Sequence, residues 1–291
     1  EPDLAIFVKY DFWFNYLNTL QLSQVPIIYF SCNFRSTQVY FKSYAKWQLS
    51  ILEDINRIYT LNQKSADLLS KYNFRKVAVC GDTRYDKVVQ NAERKVPIPV
   101  IERFANKQPL MILGSSWQPE EKLIGQYLSK NNNELKVIIA PHDISEKHLI
   151  EIEKIISVPM QRYSELTEEN SMSTSVVLID NIGLLSNTYQ YADFAFIGGG
   201  FTNDLHNILE AAAFGNVVFY GDKFSKYPEG QELIDFGGGI SISNYLEFES
   251  QMNGLLENSN RKKIIQEKSK EFVYQHKGAT DIVFQAVKEL L

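Results

Sequence analysis

Residues 192–222 read ADFAFIGGGFTNDLHNILEAAAFGNVVFYGD, and their order is strand, glycine turn, helix, strand. Ala192–Ile197 is a short apolar run of the length of a buried parallel strand. Gly198, Gly199 and Gly200 follow at once, so the backbone can turn sharply and approach a ligand with no Cβ in the way. Asn203 or Asp204 then caps a helix through Leu205–Phe214, Gly215 ends it, and Val217–Tyr220 is the next strand. A helix start facing a glycine turn favours an anion, because its free N–H groups and dipole point at it. Asn207 and Glu210 are spaced to share one helix face, where a carboxylate can accept both hydroxyls of a ribose.

The same pattern of short strands and helices extends outward in both directions. Leu4–Val8, Val25–Phe30, Ile58–Leu61 and Val77–Cys80 are expected strands in a first αβ series, with helices at Asp11–Leu20 and Gln63–Tyr72. Gln38–Ile55 is expected to be largely helical, from the spacing of Tyr40, Tyr44, Trp47 and Ile51. A second series begins at Pro109, with strands at Leu110–Leu113, Leu135–Ala140 and Val176–Ile179 ahead of the central motif. Alternation of this kind implies parallel sheets. The expected organisation is a first Rossmann-like domain over 1–95, a proline-containing linker over 96–108 and a second Rossmann-like domain over 109–291. The closing helix, Thr280–Leu291, is expected to return to the first domain.

Ordinary bulk properties exclude several classes. The chain has 291 residues, 44% apolar and 22% charged, as in a globular protein. No run of eighteen apolar residues is present. Two distant cysteines and four scattered histidines make no metal-like spacing, so no metal and no cofactor are expected. The net charge of −5 divides into +4 over residues 1–95 and −9 over the rest, which points the first part toward an anionic partner other than nucleic acid. Basic and aromatic side chains interleave from Phe34 to Trp47, a pattern suited to a membrane surface.

IGGGF followed by HNILEAAAFGNVVFYG resembles the C-terminal half of the 3-deoxy-D-manno-octulosonic acid (Kdo) transferases, whose motif reads GGS, a short loop, then HNPLEPAALGxPVLFGP. Gly200 stands at the family's serine. Upstream, Asp180, Gly183, Tyr189 and Asp193 match a second family motif without a gap, with Leu184 in place of its glutamate. The resemblance continues more loosely in the first domain. Asn33, Arg35, Tyr44 and Asp86 are in register, while Lys9 and Asp11 fall on the family's paired acidic positions. His142 matches the family's Pro-Arg-His-Pro-Glu, with Pro141 where the arginine sits.

This resemblance implies a two-domain glycosyltransferase fold of the GT-B type, with the beginning of its first domain, and the family's general base, lying upstream of Glu1. It implies CMP-Kdo as donor, a lipid A precursor as acceptor, and inversion at the anomeric carbon. It also implies work at the cytoplasmic face of the bacterial inner membrane by peripheral contact with the membrane surface. Ser115, Ser116, His142, Gly183, Gly199, Gly200, Phe201, Asn207 and Glu210 are the expected donor-binding residues, and Asp11 and Arg35 the acceptor-side ones. Two other readings stay open on the residues alone: an enzyme of a uridine nucleotide sugar, such as another glycosyltransferase or a 2-epimerase, and a non-catalytic nucleotide-sugar binding module.

Overall fold

A computed structural model describes every residue except Glu1, Tyr10, Asp11, Lys46, Asn132, Asn133 and Glu134. The chain is an α/β protein of two compact units, Glu1–Lys87 with His276–Leu291, and Val88–Gln275. The expected boundaries at 95 and 108 therefore move. The segment over 96–108 is no free linker. Pro99 opens a helix, Pro99–Ala105, whose Ile101 and Phe104 are fully buried in the second unit. The backbone N–H of Ile98 donates to the Tyr191 hydroxyl at 2.6 Å and fixes that helix's start. At the other end, residues 276–291 leave the second unit for the first.

The first unit holds a four-stranded parallel sheet of β1 (Ala5–Val8), β2 (Ile27–Cys32), β3 (Arg57–Thr60) and β4 (Val77–Val79), in sequence order. Alternation along β2 divides its side chains between two cores. Ile27 and Tyr29 pack with Leu17, Phe34, Leu52 and Leu69. Ile28 packs with Tyr59, Cys80 and the closing helix Ala279–Leu290 through Ala279, Val283 and Ala286. Asp86 anchors that helix: its two carboxylate oxygens accept the N–H groups of Gly278 and Thr280 at 2.6 and 2.8 Å, and the Thr280 hydroxyl at 2.9 Å.

The long helix expected over Gln38–Ile55 is absent. Two single 3-10 turns, Val39–Phe41 and Ser43–Ala45, and one helical turn, Trp47–Ser50, take its place. Lys42 is extended between them. Val, Tyr, Phe and Ser are weak helix formers, and burying Phe41 while Tyr44 stays exposed needs two faces rather than one stripe.

The second unit holds a seven-stranded parallel sheet. Its strands are β5 (Leu110–Ser116), β6 (Lys136–Pro141), β7 (Met160–Arg162), β8 (Val176–Leu178), β9 (Phe194–Ile197), β10 (Val217–Gly221) and β11 (Gly239–Ile242). The order across the sheet is β11-β10-β9-β5-β6-β8-β7. Met111, Leu113, Val137, Ile139, Phe194, Phe196 and Phe219 face one core, covered by helices Gln118–Lys130, Glu146–Ile155 and Tyr245–Glu257. Helices Ile208–Phe214 and Ser259–Gln275 pack on each other and on β10. Both faces are thus covered, as an apolar parallel sheet requires. Among the described residues no helix is long and apolar enough to cross a membrane.

Candidate functional site

β5 and β9 lie side by side, yet the chain leaves β5 toward β6 and β9 toward β10. Connections diverging from adjacent strands open a crevice beyond their carboxyl ends, where ligands of open α/β sheets bind. Two segments line it: residues 114–117, the irregular end of β5 and the residue after it, and the loop over residues 198–206 after β9.

These segments approach so closely that side chains are excluded. A Cβ on Gly198 would lie 2.1 Å from the Ser115 carbonyl oxygen, and one on Gly199, at φ +83°, would lie 2.0 Å from the Asp204 carbonyl oxygen. At Gly200 it would meet the Gly221 nitrogen at 2.4 Å, so the serine of the family motif has no room here unless that backbone moves. The Gly199 carbonyl accepts the N–H groups of Thr202 and Asp204, the Gly198 carbonyl accepts that of His206, and the loop folds back on its own glycines.

A buried carboxylate joins the two segments. Glu120 is 1% exposed. One oxygen accepts the Trp117 N–H at 3.1 Å, capping its own helix, and the other accepts the Gly199 N–H at 3.1 Å. Burial pushes its carboxyl up, and the two N–H donors oppose that shift. Its neighbour Glu121 is also fully buried. Its Oε1 accepts the Ser116 hydroxyl at 3.0 Å and lies 3.0 Å from His148 Nε2, while Oε2 has no partner among the described residues. Burial raises this carboxyl as well, against the pull of His148 and Ser116.

Beside these segments stands a stack of rings. His142, just past β6, stacks on both the Trp117 indole and the His206 imidazole, each 4.6 Å away between centroids. Trp117 Nε1–H donates to His206 Nε2 at 3.2 Å. Burial, and then His142, hold His206 below its ordinary range, with Asp204 opposing.

The helix after the glycine loop starts three residues later than expected, at Ile208, and its cap is Asn207 rather than Asn203 or Asp204. Asn203 takes a left-handed conformation, at φ +63°, inside the loop. Asn207 Oδ1 accepts the Leu209 N–H at 3.1 Å, and its Nδ2 donates to Glu210 Oε1 at 3.1 Å. Glu210 is half-buried, and burial raises its carboxyl against the pull of Asn207. Beside it, the fully buried Tyr189 turns its hydroxyl toward Gly114, where a Cβ would lie 2.1 Å from that oxygen.

The structure sorts the expected donor residues. Ser115, His142, Phe201 and Glu210 stand at the carboxyl ends of β5, β6 and β9 or on the following helix, each at least partly exposed. Gly183, at φ +98° after β8, has open space around it. Three expectations are corrected. The Ser116 hydroxyl is committed to Glu121, because its strand position turns it into the core. The Gly199 N–H is committed to Glu120. Asn207 serves as a helix cap and holds Glu210, so it acts on a ligand only through that carboxylate. The N–H groups of Gly200 and Phe201 have no partner among the described residues. Glu120, Glu121 and Trp117 were not expected. A Glu-Glu pair in a first helical turn reads as solvated charge, and only the burial of that turn reveals otherwise.

In the first unit, Asp11 lies outside the described residues. Arg35 is exposed just past β2, and its N–H donates to Gln38 Oε1 at 2.8 Å. The buried Asp82, past β4, accepts Arg84 Nε at 2.7 Å and lies 3.9 Å from Lys9 Nζ, past β1.

Residues 1–87 match the family model described as "3-Deoxy-D-manno-octulosonic-acid transferase (kdotransferase)". A 3-deoxy-D-manno-octulosonic acid transferase of Rickettsia bellii is 24% identical over 99% of this chain and 70% of its own length. That of Rickettsia prowazekii is 22% identical over 100% of the chain and 64% of its own length, so the chain spans about two thirds of such relatives. Among solved structures, the C-terminal CMP-Kdo binding domain of WaaA from Acinetobacter baumannii covers 65% of this chain and 98% of itself, at TM-score 0.54 and 19% identity. A UDP co-structure of MnaA from S. aureus covers 100% and 77%, at TM-score 0.61 and 14% identity. Likeness at these identities carries the fold, two Rossmann-like domains as in GT-B glycosyltransferases and epimerases. The match over residues 1–87, with sequence similarity along the whole chain, makes this chain similar to the 3-deoxy-D-manno-octulosonic acid transferases throughout its length.

Proposed function

We propose that this chain is a glycosyltransferase that moves Kdo from CMP-Kdo to a lipid A precursor in lipopolysaccharide synthesis. The second unit holds the donor and the first meets the acceptor. The observation that carries this reading is the crevice at β5 and β9. There, unpartnered N–H groups of Gly200 and Phe201, the neutral-leaning His206 and the half-buried Glu210 converge on the carboxyl ends of one parallel sheet. In the reaction, the acceptor hydroxyl oxygen bonds to the anomeric carbon of Kdo, the bond from that carbon to the CMP phosphate oxygen breaks, and a general base takes the hydroxyl proton. Fixed N–H donors around Gly200 and Phe201 offset the charge gathering on the departing phosphate. Glu210, steadied by Asn207, accepts the ribose hydroxyls, and Ser115, His142 and Gly183 border the rest of the nucleotide.

An anionic, acylated acceptor suits the first unit. Residues 1–87 and 276–291 together carry 13 Lys/Arg and 10 Asp/Glu, a net +3, Arg35 is exposed, and Trp13, Tyr16 and Tyr44 are 55%, 64% and 74% exposed. Aromatic side chains of this kind favour a headgroup layer, which supports peripheral work at the cytoplasmic face of the inner membrane.

Calorimetric titration of the chain with CMP, UMP and GMP, repeated on Glu210→Ala, tests the donor assignment. Selective CMP binding that weakens about tenfold or more in the variant supports it. Preference for UMP replaces it with a uridine nucleotide-sugar enzyme, and no binding of any nucleotide rejects the donor site.

A further inference from the structure

Trp117 sits just past β5, and its two nitrogens face different partners. Its backbone N–H is held by Glu120, and its indole N–H donates to His206 Nε2. An imidazole nitrogen that accepts a hydrogen bond carries no proton. The single proton of a neutral His206 therefore resides on Nδ1. That nitrogen has no hydrogen-bond partner among the described residues, although the ring is half-buried. The backbone N–H of His206 is tied to the Gly198 carbonyl, so the ring is anchored to the glycine turn from one side and to the indole from the other. His142, stacked on both rings, blocks rotation of the imidazole out of its plane.

We propose that Trp117 is a positioning residue of the donor site: its indole N–H holds His206 in the Nδ1–H tautomer, keeping that N–H aimed as a neutral donor for the ligand's phosphate. This rests on the donor-site reading above. Protonation of His206 would put a hydrogen on Nε2 against the indole N–H, so the bond disfavours the imidazolium by geometry. Burial and His142 act in the same direction, and Asp204 acts against them. A neutral donor suits a ligand that must leave: it stabilises phosphate charge without the full attraction of an ion pair.

Two measurements test this. The first is the two-bond nitrogen–proton spectrum of the histidine rings at about pH 7.5, with His206 assigned by His206→Gln, since neutral tautomers give distinct nitrogen shifts. A neutral ring protonated on Nδ1 is expected. An Nε2–H tautomer or an imidazolium overturns the proposal. The second is binding of the methyl ester of CMP, whose one phosphate charge does not titrate in this range, at about pH 8 and about pH 6. Wild-type affinity is expected to change little between them. In Trp117→Phe the ring stack is kept and the donor lost. Affinity is then expected to fall about tenfold near pH 8, and to recover near pH 6 as the released imidazole protonates and attracts the phosphate. An equal loss at both values means that Trp117 serves packing alone, and overturns the proposal. Failure of the wild-type protein to bind the ester removes the donor-site reading with it. A wrong tautomer with normal binding removes only the role of Trp117.

Discussion

The two parallel sheets of this chain finish their strands in opposite ways. Beyond β5 and β9 the ends are closed backbone to backbone, three glycines deep, and the polar groups beneath them are buried carboxylates. Beyond β1, β2 and β4 the ends carry side chains instead: Lys9 and Arg84 beside the buried Asp82, and the exposed Arg35 past β2. Glycine backbone and internal hydrogen bonds fix a site before any ligand arrives, which suits a small, rigid nucleotide. Arg84 is held by Asp82, whereas a long, exposed cationic side chain such as that of Arg35 keeps its rotamer freedom and adapts, which suits a large anionic surface. The same sheet architecture thus supports one rigid end and one yielding end, a difference that fits the proposed donor and acceptor roles.

This contrast breaks most readily at Gly199. It is held at φ +83°, and a Cβ there would lie 2.0 Å from a backbone oxygen that cannot swing aside. Gly199→Ala is expected to cost roughly 3–5 kcal/mol in the second unit, combining left-handed strain with overpacking. Urea unfolding followed at Trp117 checks this. A cost below about 1 kcal/mol would mean that the donor end is not rigid.

Next in size is Glu120→Ala. It strands two N–H donors, those of Gly199 and Trp117, each worth about 1–3 kcal/mol when left without a partner. A destabilisation of roughly 2–4 kcal/mol is expected, together with weaker CMP binding. Equal stability with lost binding would make Glu120 a ligand contact rather than a brace.

How much of this was legible in the sequence divides along the same line. Most strand positions were, because apolar runs of four to six residues leave few alternatives, but the short edge strand β7, Met-Gln-Arg, was not expected because it has no apolar run. β5 was expected to stop at Leu113 but runs to Ser116, with a register irregularity between Gly114 and Ser116. The glycine turn was legible too, since nothing else puts three glycines after a strand. The cap after it was not: Asn203, Asp204 and Asn207 are all good caps, and only the loop's folding onto the Gly199 carbonyl decides among them. The brace was hidden entirely, because QPEEK reads as a charged, solvated helix start until the neighbouring turn buries it. In the first unit Asp86 was noticed only as a motif match, and its service to a helix nearly two hundred residues later is a tertiary fact.

Asp86 offers a milder test, in the first unit. Asp86→Ala removes three hydrogen bonds from the start of helix Ala279–Leu290, and caps of this kind are worth about 1–2 kcal/mol. Faster proteolysis within 276–291 is expected, with CMP binding by the second unit unchanged. A loss of CMP binding equal to that of Glu120→Ala would show that the closing helix supports the donor end as well.

The smallest effect separates the two buried carboxylates from each other. Glu120 uses both oxygens, whereas Glu121 leaves Oε2 buried without a partner among the described residues. Burial raises the folded-state pKa of Glu121 above its unfolded value. Between those two values the folded protein binds more protons than the unfolded chain. Stability therefore falls as pH rises through the folded value, and is greater below it. Glutamine cannot ionise, keeps an oxygen for the Ser116 hydroxyl and places an N–H₂ group where the orphan oxygen stood. The difference in stability between Glu121→Gln and the wild type should thus grow in the variant's favour from about pH 5 to about pH 8, read from urea midpoints at each pH. If the wild type instead gains on the variant as pH rises, the attraction of His148 outweighs burial, and Glu121 is as well braced as Glu120.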